Sequence, residues 1–173
     1  ELLRLSPERV KAGSLQASER QLEIKDVDEE FLASLQSWRL QLANSIYEHN
    51  LTNPALQTNG NLDFDKLMAA VQRILDRLIL IRYADDKEVL LNYDVVDAIL
   101  SNYRKRGAYV HPDDLVRDFV DFSHRMDERH NTTLFQPGHI CEQVSIPNGV
   151  LERIMEEMNN ISFRKFTSDI LGN

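Results

Sequence analysis

The stretch Val71-Gln72-Arg73-Ile74-Leu75-Asp76-Arg77-Leu78-Ile79-Leu80-Ile81-Arg82-Tyr83-Ala84-Asp85-Asp86 decides the fold. Leu67, Val71, Ile74, Leu78 and Ile81 recur at helical spacing, which lines them along one face. Met68, Leu75 and Ile79 widen that stripe until the last turns are apolar nearly all round. A helix of this kind is covered on every side, so the pattern predicts a helix over 63–83 at the centre of a bundle. Its charges are set among these apolar residues. Arg73 and Arg77 neighbour Asp76, and Arg82 stands three and four residues before Asp85 and Asp86, the spacing of helix-surface pairs. Charged groups beside so apolar a surface are expected to be partly buried and therefore paired. The competing reading makes Arg73, Arg77 and Arg82 a functional surface that touches DNA or another domain.

Further helices are legible on both sides. Upstream, Phe31, Leu35, Trp38, Leu42 and Ile46 alternate steps of four and three behind the acidic start Asp28-Glu29-Glu30, which predicts a helix over 28–49. Asn53-Pro54 breaks it, and a polar loop runs through Gly60. Downstream, Val95, Val96, Ile99, Leu100 and Tyr103 mark a shorter helix, closed by Arg104-Lys105-Arg106 and then Gly107. His111-Pro112-Asp113-Asp114 opens a fourth, with proline suited to the first helical position and a stripe of Leu115, Phe119, Phe122 and Met126. Residues 131–146 read as irregular, with room for a short extended pair. A fifth helix is expected from about Asn148 to Met158, with Val150, Leu151, Ile154, Met155 and Met158 inward, followed by a stub from Phe163 to Leu171. The reading is all-α, a single helical bundle of about five to six helices over 28–173, preceded over 1–27 by a connector with a short helix.

Composition agrees. At 173 residues, with 42% hydrophobic and 28% charged residues, the chain has the length and mixture of one globular domain with a real core. Six glycines and five prolines are few breakers, which disfavours an all-β fold. The net charge of −8 opposes a domain that grips a phosphate backbone over most of its surface. Arg104-Lys105-Arg106 is the one basic cluster, and closing a helix C-terminus explains it more cheaply than phosphate contact. A lone Cys141 excludes an internal disulfide framework and points to a reducing, cytoplasmic home. No apolar run nears the roughly 20 residues that span a bilayer. The chain opens at Glu1 without an initiator methionine and ends at Ile170-Leu171-Gly172-Asn173, and is expected to be an excised piece.

A search for chemistry returns absences. There is no G-x-G, no G-K-[ST] phosphate loop, and no pair of adjacent prolines of the kind that amino-methylating DNA methyltransferases use at the flipped base. Glu23-Ile24-Lys25, with Glu8 upstream, has the bare form of a nuclease motif, but it sits in a polar stretch and is common enough by chance. His124 and His130 are six apart, where a helical metal pair needs ~4. His139 and Cys141 lack a second pair to complete a tetrahedral site, and Cys141 reads as a small buried hydrophobe. No catalytic, cofactor-binding or metal residue is therefore expected. Arg73, Arg77, Arg82, Arg104, Lys105 and Arg106 remain as candidate contacts to a neighbouring domain or to DNA.

Phe31-Leu32, Trp38-Arg39, Leu42-Ala43 and Ile46-Tyr47, followed by the block from Val71 to Asp86, resemble the helical connector of type IIG restriction enzymes. These are single-chain fusions of an endonuclease and an adenine-specific DNA methyltransferase. Leu134-Phe135, Leu151-x-x-Ile154-Met155 and the closing S-F-R-K-F-T-S-D-I-L-G from Ser162 to Gly172 look like the stretch just before that family's methyltransferase core. The resemblance runs from about Asp28 to the end and carries no catalytic motif, so no functional residue transfers. It implies a parent that binds S-adenosylmethionine, methylates an adenine amine and cuts DNA with Mg²⁺. The segment itself would be a non-catalytic spacer between flanking nuclease and methyltransferase domains, meeting DNA through the parent. The rival expectation is a free-standing acidic adaptor domain that docks a partner helix.

Overall fold

The computed structural model describes residues 29–87, 94–107, 110–130 and 133–163. The expected connector over 1–27 and the stub beyond Phe163 lie outside these residues. The chain divides into two compact units, Gln36–Arg164 and Glu1–Leu35 with Lys165–Asn173. The first holds nearly all described residues; of the second, the described part is the opening of α1, 29–35.

The described residues form five α-helices: α1 (29–49), α2 (Phe64–Asp86), α3 (Val95–Arg104), α4 (Asp114–His130) and α5 (Asn148–Asn159). The fold is all-α, and the periodic stripes of the sequence supply its core, with two exceptions. Leu35 is half-buried, and Met68, expected to widen the α2 stripe, is 41% exposed because it stands in the first turns of α2, on a side that no described element covers. Trp38, Leu42 and Ile46 on α1 are fully buried, as are Val71 and Leu75 on α2, with Leu78 and Ile81 only 1% exposed. Leu115, Phe119, Phe122 and Met126 of α4 and Leu151, Ile154, Met155 and Met158 of α5 point inward, while Val150, also expected inside, is half-buried. Helix α2 packs on α3, on α5 and on a 3₁₀ turn at Ile140–Glu142, and α4 packs on α3 and α5. The long helix therefore occupies the centre that its two-sided apolar pattern required.

Strand structure among the described residues is limited to a minimal hairpin, β1 (Gln57–Thr58) against β2 (Asn61–Leu62), with Gln57 opposite Leu62. It lies in the stretch read as a polar loop, whereas described residues 133–146 hold no strand. The signal was Asn59-Gly60. Both residues have positive φ, 55° and 79°, the geometry of a two-residue hairpin turn whose twist suits paired strands. The hairpin delivers the chain to Asp63, whose Oδ1 accepts from the Asp65 and Lys66 amides and caps α2.

Helix α4 begins at Asp114, leaving Pro112 in the preceding turn rather than in the first helical position. Tertiary bonds place that start. The Pro112 carbonyl accepts from the Asn148 amide, and Asn148 Oδ1 accepts from the Leu115 amide. A residue of α5 thus caps α4, which local sequence cannot announce. No helix among the described residues is long and apolar enough to cross a membrane.

Leu78 touches the core from the middle of α2 and is 1% exposed. Leu78→Ala is expected to cost roughly 2–5 kcal/mol through lost burial and the cavity left behind. Urea unfolding followed by helical circular dichroism checks this; an unchanged midpoint would remove α2 from the centre of the core.

Candidate functional site

The arginines of α2 organise the polar interior. Arg77 is fully buried, yet three of its nitrogens find acceptors: Nε donates to the Leu134 carbonyl (2.9 Å), Nη1 to Glu142 Oε1 (2.8 Å) and Nη2 to the Gln136 carbonyl (3.1 Å). Its guanidinium also lies 6.0 Å from the centre of the buried Phe135 ring. One turn earlier, Arg73 Nη1 donates to the carbonyls of Thr133 and Leu134. Two arginines one turn apart therefore hold the irregular segment 133–142 against α2. A planar fork with fixed donors suits this work better than the single ammonium of lysine.

Glu142 answers Arg77 from the far side of that segment. Its Oε2 accepts from the Gly138 amide and lies 3.2 Å from His124 Nε2 on α4. Burial works to raise its pKa, but the Gly138 amide, Arg77 and His124 outweigh it and hold the carboxyl below the usual range. Glu142 thus stays ionised opposite the guanidinium. Neighbouring Cys141 is buried and its thiol is pushed up to about 11 by desolvation, so it behaves as an inert core residue. Burial, followed by the nearness of Arg73 and Arg77, lowers the pKa of His139, which favours the neutral ring. That ring's Nδ1 accepts from the Cys141 amide and caps the 3₁₀ turn.

Arg82 ties the other end of α2. It meets Asp86 at 2.8 Å, the pair expected four residues away, and Asp94 at 3.2 Å in front of α3. Asp85 takes a different role from the surface pair suggested by spacing: its Oδ2 accepts from the Val95 and Val96 amides and supports the α3 N-terminus. Desolvation, with the like charge of Asp94, pushes its pKa up to about 6 against the lowering effect of those amides.

The expected pairing of Arg73 and Arg77 with Asp76 does not form among the described residues. Asp76 accepts instead from Gln72 Nε2 (2.7 Å), because Arg73 and Arg77 face the 133–142 segment. The basic cluster also has internal partners. Arg104 Nε donates to Glu152 (2.8 Å) and Nη2 to Glu156, both on α5. Arg106 reaches Asp118 on α4 (2.6 Å) and Asp114 (3.5 Å), while Lys105 is the exposed C-cap of α3. Sequence had paired none of these, because every partner lies on another element. Arg73, Arg77 and Glu142 come together at one site; Arg82 forms a second; Arg104 and Arg106 tie α3 to α5 and α4.

Among the described residues, no grouping of three or more His, Cys, Asp or Glu side chains stands where a metal ion could be held. The arrangement offers ion pairs and caps that lock elements together.

No protein-family model matches the chain, and no solved structure does. Over 151 residues it is 28% identical to the type II restriction enzyme and methyltransferase RM.Eco57I of Escherichia coli, an alignment covering 85% of this chain. The chain spans 13% of that protein's length. The similarity relates this chain to a restriction-modification protein.

Two outcomes follow from the geometry. Arg77→Ala is expected to cost about 3–5 kcal/mol, since it strands the charge of Glu142 inside the protein. Glu142→Gln should cost a comparable amount, because it leaves the buried Arg77 charge without a counter-charge and turns an amide NH2 toward the Gly138 N–H; denaturant titration of both variants tests this. For Asp85 the sign is opposite. Its folded pKa is raised, so its favourable contribution is complete below the ordinary carboxylate range and is lost as pH rises through about 6. Asp85→Asn keeps an oxygen for the Val95 and Val96 amides and should stabilise by roughly 1–2 kcal/mol at pH 7.5, after allowance for partial exposure. The gain should vanish near pH 4; equal effects at both pH values would contradict a half-buried carboxylate.

Proposed function

We propose that this chain is the non-catalytic helical spacer of a longer, cytoplasmic restriction-modification protein. In this reading it holds a DNA endonuclease domain at a set position relative to an adenine-specific DNA methyltransferase domain. S-adenosylmethionine and Mg²⁺ belong to those flanking domains, and DNA is met through them. The similarity to a restriction enzyme and methyltransferase over 85% of this chain carries the proposal. The build of the bundle supports it: a close-packed core transmits position without bending. Guanidinium ties also reach from α2 into the irregular 133–142 segment, from the half-exposed Arg73 and the buried Arg77. Arg73, Arg104 and Lys105 keep exposed or half-exposed surface that a neighbouring domain can meet, whereas Arg77 and Arg82 act from inside.

The test uses the longer protein with Leu78→Ala, at a temperature where this chain carrying the same change has melted and the wild type has not. Cleavage is expected to spread over several distances from the recognised site or to fall at least about tenfold, a loss of about 1.4 kcal/mol in transition-state positioning. Methylation should persist within a factor of about two. Full-rate cleavage at one unchanged distance would overturn the spacer reading.

A further inference from the structure

Large apolar side chains left in the open gather on one face of the Gln36–Arg164 unit. Leu40 is 62% exposed, Tyr47 43%, Leu51 51%, Phe64 64% and Met68 41%. Leu40 and Tyr47 stand on α1, Leu51 just past its end, and Phe64 and Met68 on the first turns of α2. The two helices are antiparallel here. Arg39 donates to Gln72 at one level, and Tyr47 stacks on Phe64 at the other, with ring centroids 6.3 Å apart and planes at 15°. Along α1, Leu40 and Tyr47 lie two turns apart on one face with Asn44 between them, and along α2 Met68 follows Phe64 by one turn. These four occupy two neighbouring helix faces joined at the Tyr47–Phe64 stack, with Leu51 in the turn that follows α1. Single exposed apolar residues are ordinary, whereas a contiguous patch rimmed by polar groups marks a contact surface.

The rim identifies the occupant. Glu48 beside Tyr47 and Asp65 beside Phe64 are exposed, and among the described residues neither has a basic partner. Arg39 stands at the other end of these faces, but at the Tyr47–Phe64 end two copies would set acid against acid, on chains that each carry a net charge of −8. A neighbour with basic side chains at its edge gains where a second copy loses. The relative carries its matching stretch as 13% of its length, so most of a protein of that size lies beyond this region and needs a surface to pack on.

We propose that the strip from Leu40 to Met68 is the seat of a flanking domain of the longer protein, entered by an apolar helix face edged with Lys or Arg. The proposal rests on the spacer reading in requiring such a domain, but not in what that domain catalyses. Phe64→Cys tests it, through the rate at which the introduced thiol reacts with an uncharged maleimide, resolved by peptide mass spectrometry. Asn102→Cys, exposed on α3, is the reference, and native Cys141 is buried. In the 173-residue chain the thiol at position 64 should react about as fast as the reference; in the longer protein it should react at least tenfold more slowly. Adding Glu48→Lys and Asp65→Lys should restore fast labelling there while the chain keeps its helical circular dichroism at the labelling temperature, its melting lowered only slightly by a lysine in the first turn of α2. Equal rates in both contexts would overturn the proposal. So would protection that appears in the chain alone as its concentration rises, with sedimentation as a dimer. Protection that persists although cleavage distance ignores Leu78→Ala would uphold this surface and remove only the spacer role.

Discussion

A guanidinium without solvent must be given both a counter-charge and acceptors for its N–H groups, and Arg77 places that demand at the middle of the central helix. Removing a charge from water costs several kcal/mol even after relaxation, and the cost is recovered only where geometry is good. Here the counter-charge is Glu142, and the remaining acceptors are backbone carbonyls of Leu134 and Gln136. The segment 133–142 is therefore irregular but not arbitrary. Its carbonyls face α2 because a buried cation needs them, and its one acid is held ionised by the Gly138 amide and then by the same cation, against the effect of burial. Phe135 covers the cation on its apolar side, and His124 brings α4 to the same carboxylate.

The same device recurs wherever two elements must keep a fixed relation. Arg82 joins the end of α2 to Asp94 at the head of α3, while Arg104 joins α3 to α5 and Arg106 joins it to α4. The Trp38 indole N–H donates to Glu157, fastening α1 to α5 across a buried ring. Apolar packing supplies most of the favourable energy of such a bundle, but it is tolerant of sliding. Directional polar bonds are not, and they fix which of several similar packings is kept. Many of this chain's acids thus have partners within the bundle: Glu142, Asp86, Asp94, Asp114, Asp118, Glu152 and Glu157 each hold one. Glu48 and Asp65, by contrast, are exposed beside the apolar side chains Tyr47 and Phe64.

How much was legible in advance follows from the range of each force. Helical periodicity is local, so the stripes on α1, α2, α4 and α5 could be read from spacing, as could the central place of α2. The Asn59-Gly60 turn was equally local and carried its own signal in positive φ, although the surrounding polar residues read as plain loop. Arg82 with Asp86 was legible because both partners stand on one helix face, four residues apart. Asp76 lay as near to Arg73 and Arg77 in sequence, yet those arginines turned toward carbonyls some sixty residues away. Spacing describes which groups can meet along one helix; it does not contain the competitors that folding brings up.

The sequence by itself determined the all-α class, the order of the helices, most of the core residues and the want of recognised catalytic motifs, since each depends on neighbours within a few turns. Tertiary structure alone decided where charge is spent. Asn148 of α5 capping α4, Asp85 steadying α3, and Glu142 rather than Asp76 facing Arg77 are choices between chemically equivalent partners. They were settled by which of them the packed core leaves within about 3 Å of a buried donor, the reach of a hydrogen bond.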